Sequence, residues 1–221
     1  MTLHRGTNKL SKFYVLNDHI LKQVNETPYL GVTIQDNLKW STHINKITKS
    51  ANQSLGFIKR NLKYCNSHFK ETAYISLVRS LLEYSCTVWD PHQEEYIQKI
   101  EKVQRRAARF VQNDYRRYSS VTDMMNNLGW TPLHKRRRDQ RLTMMFKILH
   151  NAVAIPPTEF ISFNKRPSRK HSQQLIPKTP FIDTYKFSFF PKTIKDWNNL
   201  SETEISCQSV DQFKAALQRS T

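Results

Sequence analysis

The chain has 221 residues, with 35 Lys or Arg against 18 Asp or Glu, a formal net charge of +17 and a pI near 9.9. A compact chain repels itself at such a charge, so the excess points to a polyanionic partner, nucleic acid before membrane. No run of about 18 apolar residues and no charged-then-apolar leader opens a membrane or secretory reading. Cys65, Cys86 and Cys207 make no paired framework, which points to a reducing, intracellular compartment without choosing nucleus or cytoplasm.

The first thirty-odd residues read as strands. "KFYVL-ND-HILKQV" is two β-rich runs around Asn17-Asp18, a hairpin pattern. "PYLGVTI" is expected as a third strand, with Pro28 at its start and Gly31 inside, where an interior glycine marks close backbone approach. Strands so short must lean on helices behind them.

Helices follow. From Ser41 to Lys63, Ile44, Ile47, Ala51, Leu55, Ile58 and Leu62 recur at steps of three and four, with Lys46, Lys49, Lys59, Arg60 and Lys63 on the far side. Residues 67 to 89 are apolar over a wider arc and suit a central, buried helix with Ser67 as its N-cap. Next comes "KIEKVQRRAARFVQNDYRRYSS", residues 99 to 120. On a helix, Tyr96, Ile97, Ile100, Val103, Ala107, Phe110 and Val111 share one arc, and Lys99, Lys102, Arg105, Arg106 and Arg109 share the opposite one. Arg116 and Arg117 follow in a polar turn, beside Tyr115 and Tyr118, which could stack on unpaired bases.

A short helix over "SSVTDMMNNLGW" ends near Gly129, and Thr131-Pro132 is read as an N-cap followed by proline at the first helical position. The helix it opens carries a third basic cluster, Lys135, Arg136, Arg137, Arg138 and Arg141, and core residues Met144, Met145, Ile148 and Leu149. Residues 153–171 are a proline-rich, polar linker. "TYKFSFFPKTIKDWNNL" reads as a strand running into a short helix at Pro191, with Trp197 in the core. "SVDQFKAAL" closes the chain with a Ser209–Gln212 capping box.

Residues for catalysis are missing from this pattern. Two-metal nucleotidyl transfer needs clustered carboxylates, and the acids here stand singly among bases. Cys65 and His68 have CxxH spacing without a second pair at zinc-like distance. No G-x-S-x-G elbow exists, and four glycines leave no phosphate-cradling loop. The expectation is a chain without catalytic residues, metal or cofactor.

Several blocks resemble one family. "YLGVTIQDNLKWSTHI" (29–44), "LGFIKRNLKYC" (55–65), "LVRSLLEYSCTVWDP" (77–91), "IEKVQRRAARFV" (100–111), "SSVTDMMNNLGWTPLHKRR" (119–137), "SFFPKTIKDWNNL" (188–200) and "SVDQFKAAL" (209–217) are similar, in order, to the C-terminal part of the reverse transcriptase of jockey- and CR1-type non-LTR retrotransposons. The resemblance implies a mainly α fold: residual palm strands over 1–36, thumb-like helices over 37–90 and a basic helical extension over 91–152. The 153–171 linker and a mixed strand/helix segment over 172–221 would follow. It implies that the catalytic palm and its metal-holding aspartates lie outside this sequence, so the chain as it stands is not an enzyme.

Lys59, Arg60, Lys63, Lys99, Lys102, Arg105, Arg106, Arg109, Arg116, Arg117, Lys135, Arg136, Arg137, Arg138 and Arg141 are then the candidate nucleic-acid-binding residues. RNA or DNA, as template–primer duplex or single strand, is the partner, and the missing palm and fingers are a second one. One departure concerns the thumb: the family has proline after the arginine of "LVR", where this chain has Ser80, which puts the expected kink in doubt. Two other readings stay open: a stand-alone helical module binding an acidic protein, and a decayed element that makes no stable protein.

Overall fold

A computed structural model describes Met1, residues 13–164 and residues 171–219. Lys12 of the expected hairpin and residues 165–170 of the expected linker lie outside the described residues. The described chain is mainly helical, with two small antiparallel hairpins at its start. None of its helices is long and apolar enough to cross a membrane.

Strands β1 (Val15–Leu16) and β2 (His19–Ile20) pair around Asn17 and Asp18, whose φ of 48° and 60° suit a type I′ turn. The expected third strand is instead a second hairpin, β3 (Glu26–Tyr29) with β4 (Val32–Gln35). Leu30 (φ 46°) and Gly31 (φ 81°) form its two-residue turn. The close approach expected of Gly31 is real: a Cβ there would stand 3.1 Å from the Tyr84 ring, and Tyr84 Oη donates to the Leu30 carbonyl at 3.1 Å. His43 Nδ1 accepts from the Thr33 amide, so the hairpin is held by two different helical segments.

Helix α1 (Ser41–Asn61) buries Ile44, Ala51, Leu55 and Ile58, as its period requires. The segment 67–89 is not one buried helix. It comprises α2 (Ser67–Tyr74), a π turn over Ile75–Arg79, α3 (Ser80–Glu83) and α4 (Cys86–Trp89), broken at Ser85 in the left-handed region. Only Lys70, Tyr74, Val78, Leu82, Cys86 and Trp89 are buried, and Leu77, Leu81 and Val88 face solvent. The N-cap of α2 is Asn66, not Ser67: its side chain accepts from the Phe69 amide. The helix is irregular just before Ser80. The π turn ends at Arg79, and Ser80 Oγ donates back to the Ser76 carbonyl, a bond that competes with regular helix hydrogen bonding.

Helix α5 (Glu94–Val111) lies along α1, α6 (Val121–Asn127) follows, and α7 (Leu133–Leu149) begins after Pro132, which is the N-cap rather than the first helical residue. Pro132 has no capping side chain. Glu101 of α5 caps the helix instead, accepting from the Leu133 and His134 amides at 3.2 and 2.7 Å. A buried carboxylate at a helix N-terminus satisfies orphan donors and meets the positive end of the dipole.

Beyond α7, among the described residues, the regular elements are short helices joined by irregular segments, with one isolated bridge between Phe163 and Leu175. Short helix α8 (Pro157–Phe160) precedes α9 (Asp183–Lys186), α10 (Phe189–Trp197), α11 (Glu202–Ile205) and α12 (Val210–Arg219). The expected strand before Pro191 is therefore absent, because residues 183–190 already enter helices. The capping box lies at Ser201 and Glu204. At Ser209 only half of one forms: Ser209 Oγ accepts from Gln212, whose side chain turns to the Gln208 amide.

Two apolar cores lie along α7. One gathers Ile44, Leu55, Tyr74, Trp89, Ile100 and Phe110 and ends at Leu133. The other begins at Leu142 and gathers Phe146, Ile194, Trp197 and Phe213. Trp197 is in the core as expected, fully buried, with its indole N–H on the Gln173 carbonyl.

Candidate nucleic-acid interface

Helices α1 and α5 run parallel, and one spacing locks them. Lys99 donates to Asn45, and Arg106 donates to Asn52 at 3.0 Å, both across 54 residues. Seven residues are close to two helical turns, so Asn45, Asn52 and Lys59 form one row and Lys99, Arg106 and Asn113 the facing one. The bases of α1 and the bases of α5, some forty residues apart in sequence, meet on one face. Lys99, Lys102, Arg105 and Arg106 are exposed there, with Arg60 and Lys63 toward the end of α1.

This face is electropositive because its hydrogen-bond partners carry no charge. Lys99 and Arg106 bond amide oxygens, and among the described residues neither Lys102 nor Arg105 has an acidic partner. Burial lowers the Lys59 pKa, and the neighbouring Arg106 guanidinium lowers it further. Lys59 sits 5.7 Å from the Tyr115 ring centre, and Arg116 sits 5.3 Å from that of Tyr118. Both tyrosines are exposed, so the rings left open by the sequence stand beside the basic face. Phe110 is buried, and Phe189 and Phe190 pack against the second core.

Two members of the expected set hold structure here rather than ligand. Arg109 reaches under the turn after α5 and donates to the carbonyls of Asp114, Arg116 and Ser119 at 3.0–3.4 Å. Arg116 forks onto Asp114 through Nε and Nη2 at 3.0 and 2.8 Å, which, with Ser119, holds the Asp114 carboxyl well below the usual carboxylate range. Arg117 is exposed and completes the edge of the face.

The third cluster is a correction. Arg137 and Arg141 are only 0 % and 3 % exposed, so neither can meet a phosphate on the surface. Both donate through Nε to the two oxygens of Asp90 at 2.9 Å, and Lys192 adds a third contact at 2.6 Å. Arg141 also reaches Thr193 and Asp196. Burial alone would raise the Asp90 pKa, but Lys192, Arg141 and Arg137 together bring it below its ordinary value. Arg136 forks onto Glu83, and Arg138 lies 3.8 Å from Asp139. Of this cluster Lys135 alone has neither an acidic partner nor full burial among the described residues.

Asn45 and Asn52 escaped the sequence reading, although their seven-residue spacing matches that of Lys99 and Arg106. Glu101 and Gln104 escaped it too, being polar residues on the buried face of α5. Gln104 accepts from Tyr74 Oη and donates to the Thr131 carbonyl.

Among the described residues no group of three or more His, Cys, Asp or Glu side chains could hold a metal ion. No protein-family model matches the sequence, and neither a curated protein nor a solved structure shows significant similarity to it.

Proposed function

We propose that the chain binds the phosphate backbone of RNA or DNA through the α1–α5 face, with little sequence preference. On this reading it is the thumb-like part of a non-LTR reverse transcriptase without the metal-holding palm, and by itself not a polymerase. What carries the binding proposal is the heptad match of α1 to α5, which assembles Lys99, Lys102, Arg105 and Arg106 without a carboxylate partner among the described residues, while Lys46 of α1 is paired with Glu26. Phosphates would supply the missing anions, and Tyr115 and Tyr118 at the edge offer ring faces to an unpaired base.

The test is a titration of the protein with a short RNA, a short DNA and a hybrid duplex across a salt series. Backbone binding gives log affinity that falls linearly with log salt, with a slope of roughly 0.9 per neutralised phosphate on a duplex and 0.7 on a single strand. Affinity that ignores salt, or that appears only with an acidic protein, would replace this reading with the protein-interaction one. The absence of polymerase activity has a separate test: template-dependent extension of a primer by the chain alone would contradict it.

A further inference from the structure

Lys70 is 4 % exposed, yet among the described residues no acid or hydrogen-bond acceptor meets its ammonium. Its one charge-related contact is the Phe110 ring, 5.1 Å away at the centroid. Its ammonium is not among the fully buried side-chain atoms that lack a hydrogen-bond partner, so the stem is buried while the charged end opens to solvent. The side chain lines a cleft at the C-terminal end of the basic face, where Lys63, Ser67, Gln112 and Asn113 also stand. Ser67 and His68 open α2 just there. The Asn66 side chain takes the Phe69 amide and its carbonyl takes the Lys70 amide, which leaves the first two amides of the helix for another acceptor. A lysine with a buried stem and an ammonium unpaired among the described residues thus meets a helix N-terminus with two free amides at one cleft, rimmed by a second lysine.

We infer that this cleft is a phosphate seat: it takes one tetrahedral phosphate group between Lys70, Lys63 and the α2 N-terminus. As a seat for phosphate it stands on these contacts alone. In taking a backbone phosphate at the end of the α1–α5 face it rests on the reading proposed above, and it would fix where a strand bound along that face ends or turns.

The experiment follows the Ser67 and His68 amides by NMR while inorganic phosphate is added at constant ionic strength. The intact chain should show saturable shifts at both amides. Lys70→Met keeps the stem on Phe110 and should weaken phosphate at least about tenfold, whereas Lys70→Arg should retain it. If Lys70→Met does not fold, Ser67→Asp serves instead: an acid in the first turn suits the helix and should abolish the shifts. Amides that do not saturate, or a Lys70→Met protein that titrates like the parent, would overturn the seat. Lys70 would then only offset the C-terminal ends of α1 and α5. A short DNA strand added in place of phosphate separates the sources. Shifts at both amides identify a backbone phosphate, and shifts with inorganic phosphate alone identify a small phosphate ligand. Loss of the seat leaves the salt slope of the Lys99–Arg106 ridge in place, so the two proposals fail separately.

Discussion

Helices α5 and α7 carry the same signal, a dense run of Lys and Arg, and the fold puts the two runs to opposite uses. On α5 the bases occupy the arc opposite Ile100, Val103, Ala107 and Phe110, and Lys99, Lys102, Arg105 and Arg106 end in solvent. On α7, Arg137 and Arg141 fall on the same stripe as Leu133, Met145 and Ile148, which is the buried one. The partners differ accordingly. Bases of α5 meet amide and carbonyl oxygens and keep their charge available; bases of α7 meet Asp90, Asp196 and Glu83 and are neutralised. A basic run becomes a surface only if its helical phase keeps it off the core and no carboxylate waits for it.

The α7 run also has a position that α5 lacks. Arg137 and Arg141 lie between Leu133 of one core and Leu142 of the other, and they are tied to Asp90 after α4 and to Thr193 and Asp196 on α10. The charge cluster is the joint between the cores. The largest effect should therefore come from Asp90→Asn, which strands three cations at once and should cost about 3–5 kcal/mol in denaturant unfolding. Arg137→Met should cost less, about 1–2 kcal/mol, because Asp90 keeps Arg141 and Lys192 and the lost guanidinium has unpartnered Nη1 and Nη2 atoms. Equal costs would show that Asp90 is not the shared centre.

Acid should erase this difference. The folded Asp90 carboxyl titrates below its ordinary 3.8 because three cations outweigh its burial. A depressed folded pKa gives stability that is complete above the unfolded value and is lost as pH falls through the folded one. The stability gap between the parent and Asp90→Asn should be constant above about pH 5 and shrink below it. A gap that persists undiminished at about pH 3, below the unfolded pKa, would remove the ion cluster as the source of the loss.

Arg109 tests the boundary between the two behaviours. It belongs to the α5 ridge by phase, but it ties three carbonyls of the following turn, so Arg109→Gln should destabilise by about 1–3 kcal/mol. Thermal unfolding of that variant beside Arg105→Gln, which should change stability by less than about 0.5 kcal/mol, checks the distinction.

Much of this was legible in the sequence, and the failures have particular causes. The apolar period gave α1, α5 and α7, and Asn17-Asp18 gave the first hairpin. The second hairpin was hidden because Leu30 takes a positive φ that such a residue rarely adopts. The segment 67–89 kept a buried stripe through a π turn and a left-handed Ser85, neither of which leaves a mark in hydrophobic spacing. The exposed ridge on α5 could be read because a single helix contains all that defines it. The internal role of Arg137 and Arg141 could not: Asp90 and Asp196 lie 47 to 55 residues away, and only the tertiary fold brings them in. The seam between α1 and α5 was half visible, as matched seven-residue steps whose pairing needed the fold.

The central claim is that the α5 ridge binds phosphate while its counterpart on α7 holds the protein together. The most direct measurement is the salt slope of duplex binding for a protein with Lys99, Lys102, Arg105 and Arg106 all changed to Gln. Its unfolding free energy should stay close to that of the parent, because exposed charges add little to stability and removing mutual repulsion offsets the loss. Its slope of log affinity against log salt should fall by about 0.9 for every phosphate that the variant no longer neutralises. A well-folded variant with the parent's slope would contradict the account and return the ridge to a solvated face.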